Sequence, residues 1–287
     1  MVEDLVRARG PFSLRTSARL AGDATRRFDG RVLVCLFEVD GRLERAACWQ
    51  ETDGAIALRA LSEEGLERIK VVLPLGADHT EFLSRFADDE LLGRAVRVLR
   101  GKRPLRLGTV TQAFLRAVCG QLIESKRARR IELRLIRATC PTDGVLHAPP
   151  RPEAFCGFAP AALQRFDLSA RKAATIVRVC RTLELERLRD VAPSRAAQRL
   201  ERERGLGPWS VGVIGLEGLG CYDFGLVGDL GLIKLCSALL GRRAEPEDTA
   251  ELLGRYGEWQ GLASVYLLAG FAQGLLPLRY ERTPQAA

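Results

Sequence analysis

The stretch that decides the fold covers residues 205–229 and reads GLGPWSVGVIGLEGLGCYDFGLVGD. Gly205 and Gly207 permit positive φ angles, and Pro208 suits the first position of a helix, where a backbone N–H has no partner to lose. We therefore expect a turn followed by a helix, with unpaired backbone N–H groups pointing outward. Such groups attract phosphate. Since the chain holds 28 glycines in 287 residues, this turn alone is a weak signal.

One acid stands out after this turn. Asp229 lies twenty residues beyond Trp209 and opens the apolar run Asp229-Leu230-Gly231-Leu232-Ile233-Lys234. Taken alone, an Asp before such a run is a good helix N-cap, and both an N-capping and a catalytic role fit this position. Asp223, six residues earlier, is the nearest rival as a catalyst.

Two more segments extend the pattern, AVCGQLI at residues 117–123 and LSARKA at residues 168–173. Together with the glycine turn and Asp229, they stand in the order found in the helix-hairpin-helix (HhH-GPD) DNA glycosylases. The chain resembles that superfamily, and most of all its AlkA-type 3-methyladenine DNA glycosylases. The matching segments are spread from about residue 103 to residue 270.

The resemblance implies a reaction at Asp229. An HhH glycosylase hydrolyses the N-glycosidic bond of a flipped base, and its Asp stabilises the oxocarbenium ion that forms on the sugar. Trp209 occupies the position where bifunctional members carry a Schiff-base lysine, so we expect a monofunctional enzyme without AP-lyase activity. Alkylated bases of the 3-methyladenine and 7-methylguanine type suit such a site, because a methylated purine is already a cationic leaving group.

The resemblance also implies the remaining site residues. We expect a base pocket at Trp209 and Tyr266 and a wedge at Leu122 with Gln121. Packing inside the protein remains open for Trp209 and Leu122, and capping of a broken helix remains open for Gln121. The DNA-binding hairpin comprises Gly205, Leu206, Gly207, Pro208 and Trp209, and the expected phosphate contacts are Lys126, Arg127, Arg130 and Lys234.

Hydrophobic periodicity predicts an α+β fold. Residues 32–39, 43–49 and 56–61 read as strands, with turns at Asp40-Gly41 and Asp53-Gly54. From residue 78 the pattern becomes helical. We expect a small mixed β-sheet domain over residues 1–77 and a larger all-α glycosylase domain over residues 78–287, whose two helical halves flank a DNA-binding cleft.

The charge distribution favours a nucleic-acid partner. The formal net charge is +8, and residues 101–140 alone carry ten basic side chains against two acids, Glu124 and Glu132. A basic run is usually a solvated helix face, but this concentration favours contact with a polyanion. With the resemblance, we expect the partner to be double-stranded DNA containing damaged bases.

The cysteines argue against a metal centre. Eight of them are scattered without a C-x-x-C pair, and only His79 and His147 could supply imidazole ligands. We therefore expect reduced thiols, no metal bound by side chains and no cofactor, apart from a monovalent cation that the hairpin backbone of this family often recruits. Without a membrane span or signal-peptide pattern, we expect a cytoplasmic, nucleoid-associated monomer.

Two other functions fit the same residues. One is a glycosylase for deaminated or oxidised bases. The other is a non-catalytic HhH protein that binds damaged DNA for a partner. Glu124, near a position where the family usually has a small Ser, and Leu268, where broad-range members display more aromatic surface, leave the range of excised bases open.

Overall fold

A tight hairpin organises the N-terminal part of the chain. In the computed structural model, which describes residues 1–278, strands Val32–Val39 and Arg42–Gln50 are joined by Asp40 and Gly41. Both turn residues have positive φ angles, 48° and 73°, as a two-residue hairpin turn requires. The Asp-Gly signal in the sequence therefore predicts this turn correctly.

Five strands form one sheet, in the order β1-β5-β4-β3-β2. Every neighbouring pair is antiparallel, so the prediction of a mixed sheet is wrong. The strands are β1 (Val2–Val6), β2 (Arg26–Phe28), β3 (Val32–Val39), β4 (Arg42–Gln50) and β5 (Ile56–Ala60). Together with the helices that follow, this sheet confirms the predicted α+β class.

One face of the sheet forms the first core. Cys48 lies opposite Leu33 on β3 and opposite Leu58 on β5, and all three side chains are buried. Helix α2 (Glu63–Val72) contacts β3, β4 and β5. Its N-cap is Ser62, whose hydroxyl accepts a hydrogen bond from the Gly65 N–H at 3.0 Å.

Helices dominate the rest of the chain, as the periodicity predicts. Besides α2 they are α1 (Leu14–Ala18), α3 (Thr80–Arg85), α4 (Gly93–Val98), α5 (Val110–Gly120), α6 (Ser125–Thr139), α7 (Glu153–Cys156), α8 (Pro160–Leu163), α9 (Ala170–Thr182), α10 (Pro193–Glu201), α11 (Pro208–Ile214), α12 (Leu230–Leu240), α13 (Pro246–Gly254) and α14 (Gln260–Ala272). A π-helical turn, Gly215–Leu219, extends α11, and the proline-rich residues 141–160 are irregular except for α7 and the first residue of α8.

The helices enclose a second core, in which Phe114, Ile176 and Ile214 are fully buried. Arg103 links the two parts of the chain. Its buried guanidinium donates hydrogen bonds to the backbone oxygens of Pro11 (3.1 Å) and Pro74 (2.7 Å), and also to that of Arg9. None of the described helices combines the length and apolar character that a bilayer crossing needs.

Candidate active site

The glycine turn joins helices α10 and α11, as predicted. Gly205 has a φ angle of 95°, and a Cβ atom there would lie 2.6 Å from Oγ1 of Thr175. Glycine is therefore required at this point both by conformation and by space. Gly207 is the N-cap of α11, and no side chain caps the helix there. Pro208 takes the first helical position, where its missing N–H costs nothing.

Asp229 stands at the N-terminus of α12. Its Oδ1 accepts hydrogen bonds from the N–H groups of Gly231 (2.8 Å) and Leu232 (3.3 Å). The N-capping interpretation is therefore correct. Oδ2 accepts a hydrogen bond from Nε1 of Trp209 at 3.0 Å. The half-buried carboxylate is thus held by three N–H donors, which fix its orientation.

Trp209 bridges two parts of the site. Its pyrrole N–H reaches Asp229, while its six-membered ring lies against the end of α5: a Cβ atom at Gly120 would be only 2.6 Å from Cη2 of Trp209. The side chain is half-buried. The ring is therefore packed on one edge and hydrogen-bonded at the other.

The surroundings of Asp229 on α12 are aliphatic. Leu230 is exposed, and Leu268 of α14 lies so close to Gly231 that a Cβ atom there would be 2.6 Å from Cδ2 of Leu268. Tyr266 does not join them. It is 1% exposed, and its hydroxyl donates to the backbone oxygens of Leu99 (3.2 Å) and Lys102 (3.0 Å). The prediction that Tyr266 lines the base pocket is wrong, because its ring belongs to the helical core.

Leu122 stands on the turn between α5 and α6. The side chain is 93% exposed, and its backbone is left-handed with a φ angle of 57°. This excludes packing of Leu122 inside the protein. Gln121 points the other way: its amide donates to the backbone oxygen of Gly205 (2.7 Å) and to Oγ of Ser210 (3.0 Å). In this structure the Gln121 side chain is bound to the hairpin, and its share in the wedge stays a prediction.

The four predicted phosphate contacts are all exposed. Arg127 is already occupied, because its guanidinium binds both oxygens of Asp167 at 2.9 Å and 2.8 Å. Lys126, Arg130 and Lys234 form no ion pair within residues 1–278 and stay predictions as phosphate contacts. Helix α6 carries Lys126 and Arg130 directly after the turn that presents Leu122.

Sequence patterns did not reveal two sets of contacts that helix α5 makes. Nζ of Lys172 donates to the backbone oxygens of Cys119 (3.0 Å) and Gln121 (2.8 Å), closing the end of α5. The LSARKA motif contains this lysine, but motif spacing does not reveal its partners.

Arg116 of α5 is the second. Its guanidinium pairs with Glu132 of α6 (2.9 Å), Asp23 (2.9 Å) and Glu217 of the π-helical turn (2.6 Å). Burial raises the pKa of Glu132 even though Arg116 lies beside it. Within residues 1–278, no three His, Cys, Asp or Glu side chains meet in a metal-binding arrangement.

No protein-family model matches the chain, and no curated protein matches its sequence. Solved structures do match its fold. A 3-methyladenine DNA glycosylase from Archaeoglobus fulgidus aligns over 94% of this chain and 98% of its own, with a TM-score of 0.77 and 19% identity. An 8-oxoguanine glycosylase/lyase from Clostridium acetobutylicum, in complex with double-stranded DNA, aligns over 95% and 97%, with a TM-score of 0.74 and 15% identity.

A shorter neighbour is the 3-methyladenine DNA glycosylase of Schizosaccharomyces pombe in complex with abasic DNA. It aligns over 66% of this chain and 95% of its own, with a TM-score of 0.54 and 18% identity. The chain therefore has the fold of these DNA glycosylases, including the part that precedes the helical region in the two longer neighbours.

Proposed function

We propose that this protein is a monofunctional DNA glycosylase that releases alkylated bases from double-stranded DNA. The observation that carries the proposal is the carboxylate of Asp229, held by the N–H groups of α12 and by the Trp209 indole. It follows Trp209 by twenty residues, the spacing on which the resemblance rests. The fold shared with 3-methyladenine DNA glycosylases supports the same function.

The chemistry requires one well-oriented negative charge. As the base leaves, the sugar approaches an oxocarbenium ion, and the Asp229 carboxylate stabilises this cation and orients the attacking water. A charge pair at about 4 Å contributes about 4 kcal/mol at an effective dielectric constant of 20. At about 1.4 kcal/mol per decade, this corresponds to a rate increase of about a thousandfold. A purine methylated at N3 or N7 is positively charged while it is bound to the sugar and leaves as a neutral base. Its departure therefore needs no general acid.

The absence of a nucleophilic amine beside the acid supports hydrolysis by water. Trp209 stands at the start of α11, where bifunctional enzymes of this fold have a lysine. In the described residues no lysine donates a hydrogen bond to Asp229. Lys172 is bound to backbone oxygens at the end of α5, and Lys234 lies exposed on α12. These contacts favour attack on the sugar by water over attack by a lysine amine, which would form a Schiff base.

DNA binding in this proposal uses exposed groups around the acid. Leu122 fills the gap left by the flipped base, and the N–H groups at the hairpin contact a phosphate, with a monovalent cation on the backbone as in the family. Lys126 and Arg130 add affinity that is independent of sequence and sensitive to salt. Extraction of the base costs a few kcal/mol, and less for a damaged pair.

Aliphatic residues beside the acid favour alkylated bases over oxidised ones. Leu230 and Leu268 offer no polar group to read the edge of a neutral base, so selection would rest on a weakened glycosidic bond. An 8-oxoguanine glycosylase remains the second candidate, because the Clostridium acetobutylicum enzyme shares the fold over nearly the same length of chain.

Single-turnover incubation with duplex DNA carrying 7-methylguanine tests the proposal. We expect free base without added metal, and strand cleavage only after alkali. Asp229→Asn should keep binding and lose about a thousandfold in rate, as the charge argument gives. Cleavage before alkali would contradict the monofunctional mechanism. Release of 8-oxoguanine but not of 7-methylguanine would contradict the substrate, and binding without any release would favour a damage-binding protein.

A further inference from the structure

Leu122 adopts a backbone conformation that a leucine avoids. Its φ angle is 57°, in the left-handed region where the Cβ atom crowds the backbone, and its side chain gains no packing in return because it is 93% exposed. A residue in such a conformation persists only when its surroundings impose it. The turn between α5 and α6 must therefore be held by contacts other than those of Leu122 itself.

Lys172 supplies one such contact. Helix α5 ends at Gly120, and the carbonyl groups of a last helical turn have no partner within the helix. The Lys172 ammonium donates to two oxygens at this end, those of Cys119 and Gln121, at 3.0 Å and 2.8 Å. A positive charge at a helix C-terminus is also favoured by the helix dipole.

Gln121 anchors the same turn from the other side. Its amide donates to the Gly205 oxygen and to the hydroxyl of the buried Ser210, both in the hairpin region. The residue before Leu122 is thus tied to α9 through its backbone and to the hairpin through its side chain. Leu122, which directly follows this anchored residue, projects into solvent.

We propose that Lys172 is a positioning residue for DNA insertion, which holds the turn that presents Leu122. The proposal rests on the proposed function, because it assumes that Leu122 enters damaged DNA. Lys172 touches neither the reacting atoms nor Asp229 and acts only through the turn.

The environment of Lys172 fits this role better than a role in stability alone. The ammonium is half-buried and forms no ion pair with a carboxylate in the part of the chain that the structure describes. Burial lowers the pKa of this amine, because the charged form loses part of its hydration there. An apolar side chain would avoid that cost but would leave the two carbonyl groups free to shift the turn.

A double-mutant cycle tests the proposal with a binding readout. The probes are a duplex with a tetrahydrofuran abasic analogue flanked by 2-aminopurine and the same duplex without the abasic site. The measured quantity is the ratio of the two affinities, with 2-aminopurine fluorescence reporting unstacking. We expect Lys172→Met to lower the ratio about tenfold, as loss of hydrogen bonds from a charged donor suggests. Arg171→Met removes a neighbouring exposed charge and should leave the ratio unchanged.

The Leu122→Ala background decides whether Lys172 acts through the leucine. There we expect Lys172→Met to change the ratio by less than about twofold, since coupled residues are not additive. If Lys172→Met lowers the affinity ratio by the same factor with Leu122 as with Leu122→Ala, the proposal is overturned. It is also overturned if Lys172→Met leaves the ratio unchanged in the protein that keeps Leu122. Thermal unfolding checks each variant, and Lys172→Gln replaces Lys172→Met if the latter does not fold.

The wild-type protein separates the two proposals. If it prefers the abasic duplex but releases no base, the proposed enzyme is contradicted while the cycle still decides about Lys172. If it releases 7-methylguanine but shows no preference for the abasic duplex, the proposal for Lys172 fails while the proposed enzyme stands.

Discussion

The indole N–H of Trp209 donates a 3.0 Å hydrogen bond to Oδ2 of Asp229, twenty residues further along the chain. The opposite end of the same ring touches the end of α5 at Gly120. One side chain therefore spans the distance between the candidate catalytic acid and the helix that leads into the Leu122 turn. Substitution can separate the effect of its N–H group on Asp229 from the effect of its ring.

Trp209→Phe removes the donor and keeps an aromatic ring at this position. We expect the single-turnover rate of base release to fall about 10- to 100-fold, because a hydrogen bond to a charged group contributes roughly 1.5–3 kcal/mol. Affinity for abasic duplex should stay the same. Trp259→Phe is the matched control, since the buried Nε1 of Trp259 has no hydrogen-bond partner among the described residues. Equal rate losses in both variants would contradict an orienting role for Trp209.

Leu122→Gly should separate stability from DNA binding. Glycine adopts the left-handed conformation without the cost of about 1–2 kcal/mol that leucine bears. Its greater freedom in the unfolded chain offsets about 0.5–1 kcal/mol of that gain. We therefore expect an unchanged or slightly higher free energy of unfolding in urea, together with weaker binding to abasic duplex. A clear loss of stability would mean that the leucine side chain packs against the protein.

The ion pair between Arg127 and Asp167 predicts unequal effects of neighbouring cations on DNA binding. The slope of log K against log salt concentration is negative, and Lys126→Ala should lower its magnitude by about 0.9, the value for one phosphate contact. Arg127→Ala should lower it less, because Asp167 already holds that guanidinium through two hydrogen bonds. Asp167→Asn should raise the magnitude of the slope by releasing Arg127 for a phosphate contact. Titrations on undamaged duplex at several salt concentrations measure the slopes of the three variants. Equal slopes for Lys126→Ala and Arg127→Ala would contradict the expectation that Asp167 withholds Arg127 from DNA.

His79 should make the fold sensitive to acid. It is 1% exposed, packs against the ring of Tyr222 at 4.6 Å, and neither ring nitrogen has a hydrogen-bond partner in residues 1–278. Burial, reinforced by the positive charge of Arg103 and opposed by Asp78, lowers the pKa of His79 from 6.5 to about 4. The unfolded chain therefore binds a proton at a higher pH than the folded one.

Stability should accordingly be full above pH 6.5 and fall as the pH drops from 6.5 through 4. The free energy of unfolding should fall by about 3 kcal/mol in total, at about 1.36 kcal/mol per pKa unit. His79→Phe should remove most of this dependence, because a phenyl ring suits the aromatic surroundings without titrating. Urea unfolding at several pH values measures it, and parallel pH curves for the two proteins would show that other groups are responsible.

Local sequence patterns predicted most of the longer strands and helices. The segments predicted at residues 32–39, 43–49 and 56–61 correspond to β3, β4 and β5 within one residue at each end, and the break near Gly120 separates α5 from α6. Strand β1 escaped prediction because its extended form depends on pairing with β5, more than fifty residues away. The helical pattern after residue 80 hid the break between α3 and α4, where Gly93 approaches the Ala87 oxygen.

By itself, the sequence determined the glycine turn, the start of α11 at Pro208 and the N-cap at Asp229. These features depend on φ preferences and on hydrogen bonds between residues two or three positions apart, which a short segment already specifies. Only the tertiary structure decided that Tyr266 is buried, that Gln121 binds the hairpin and that Trp209 orients Asp229. Those contacts join residues that are distant in the chain, and only the packing of whole helices brings them within hydrogen-bond reach.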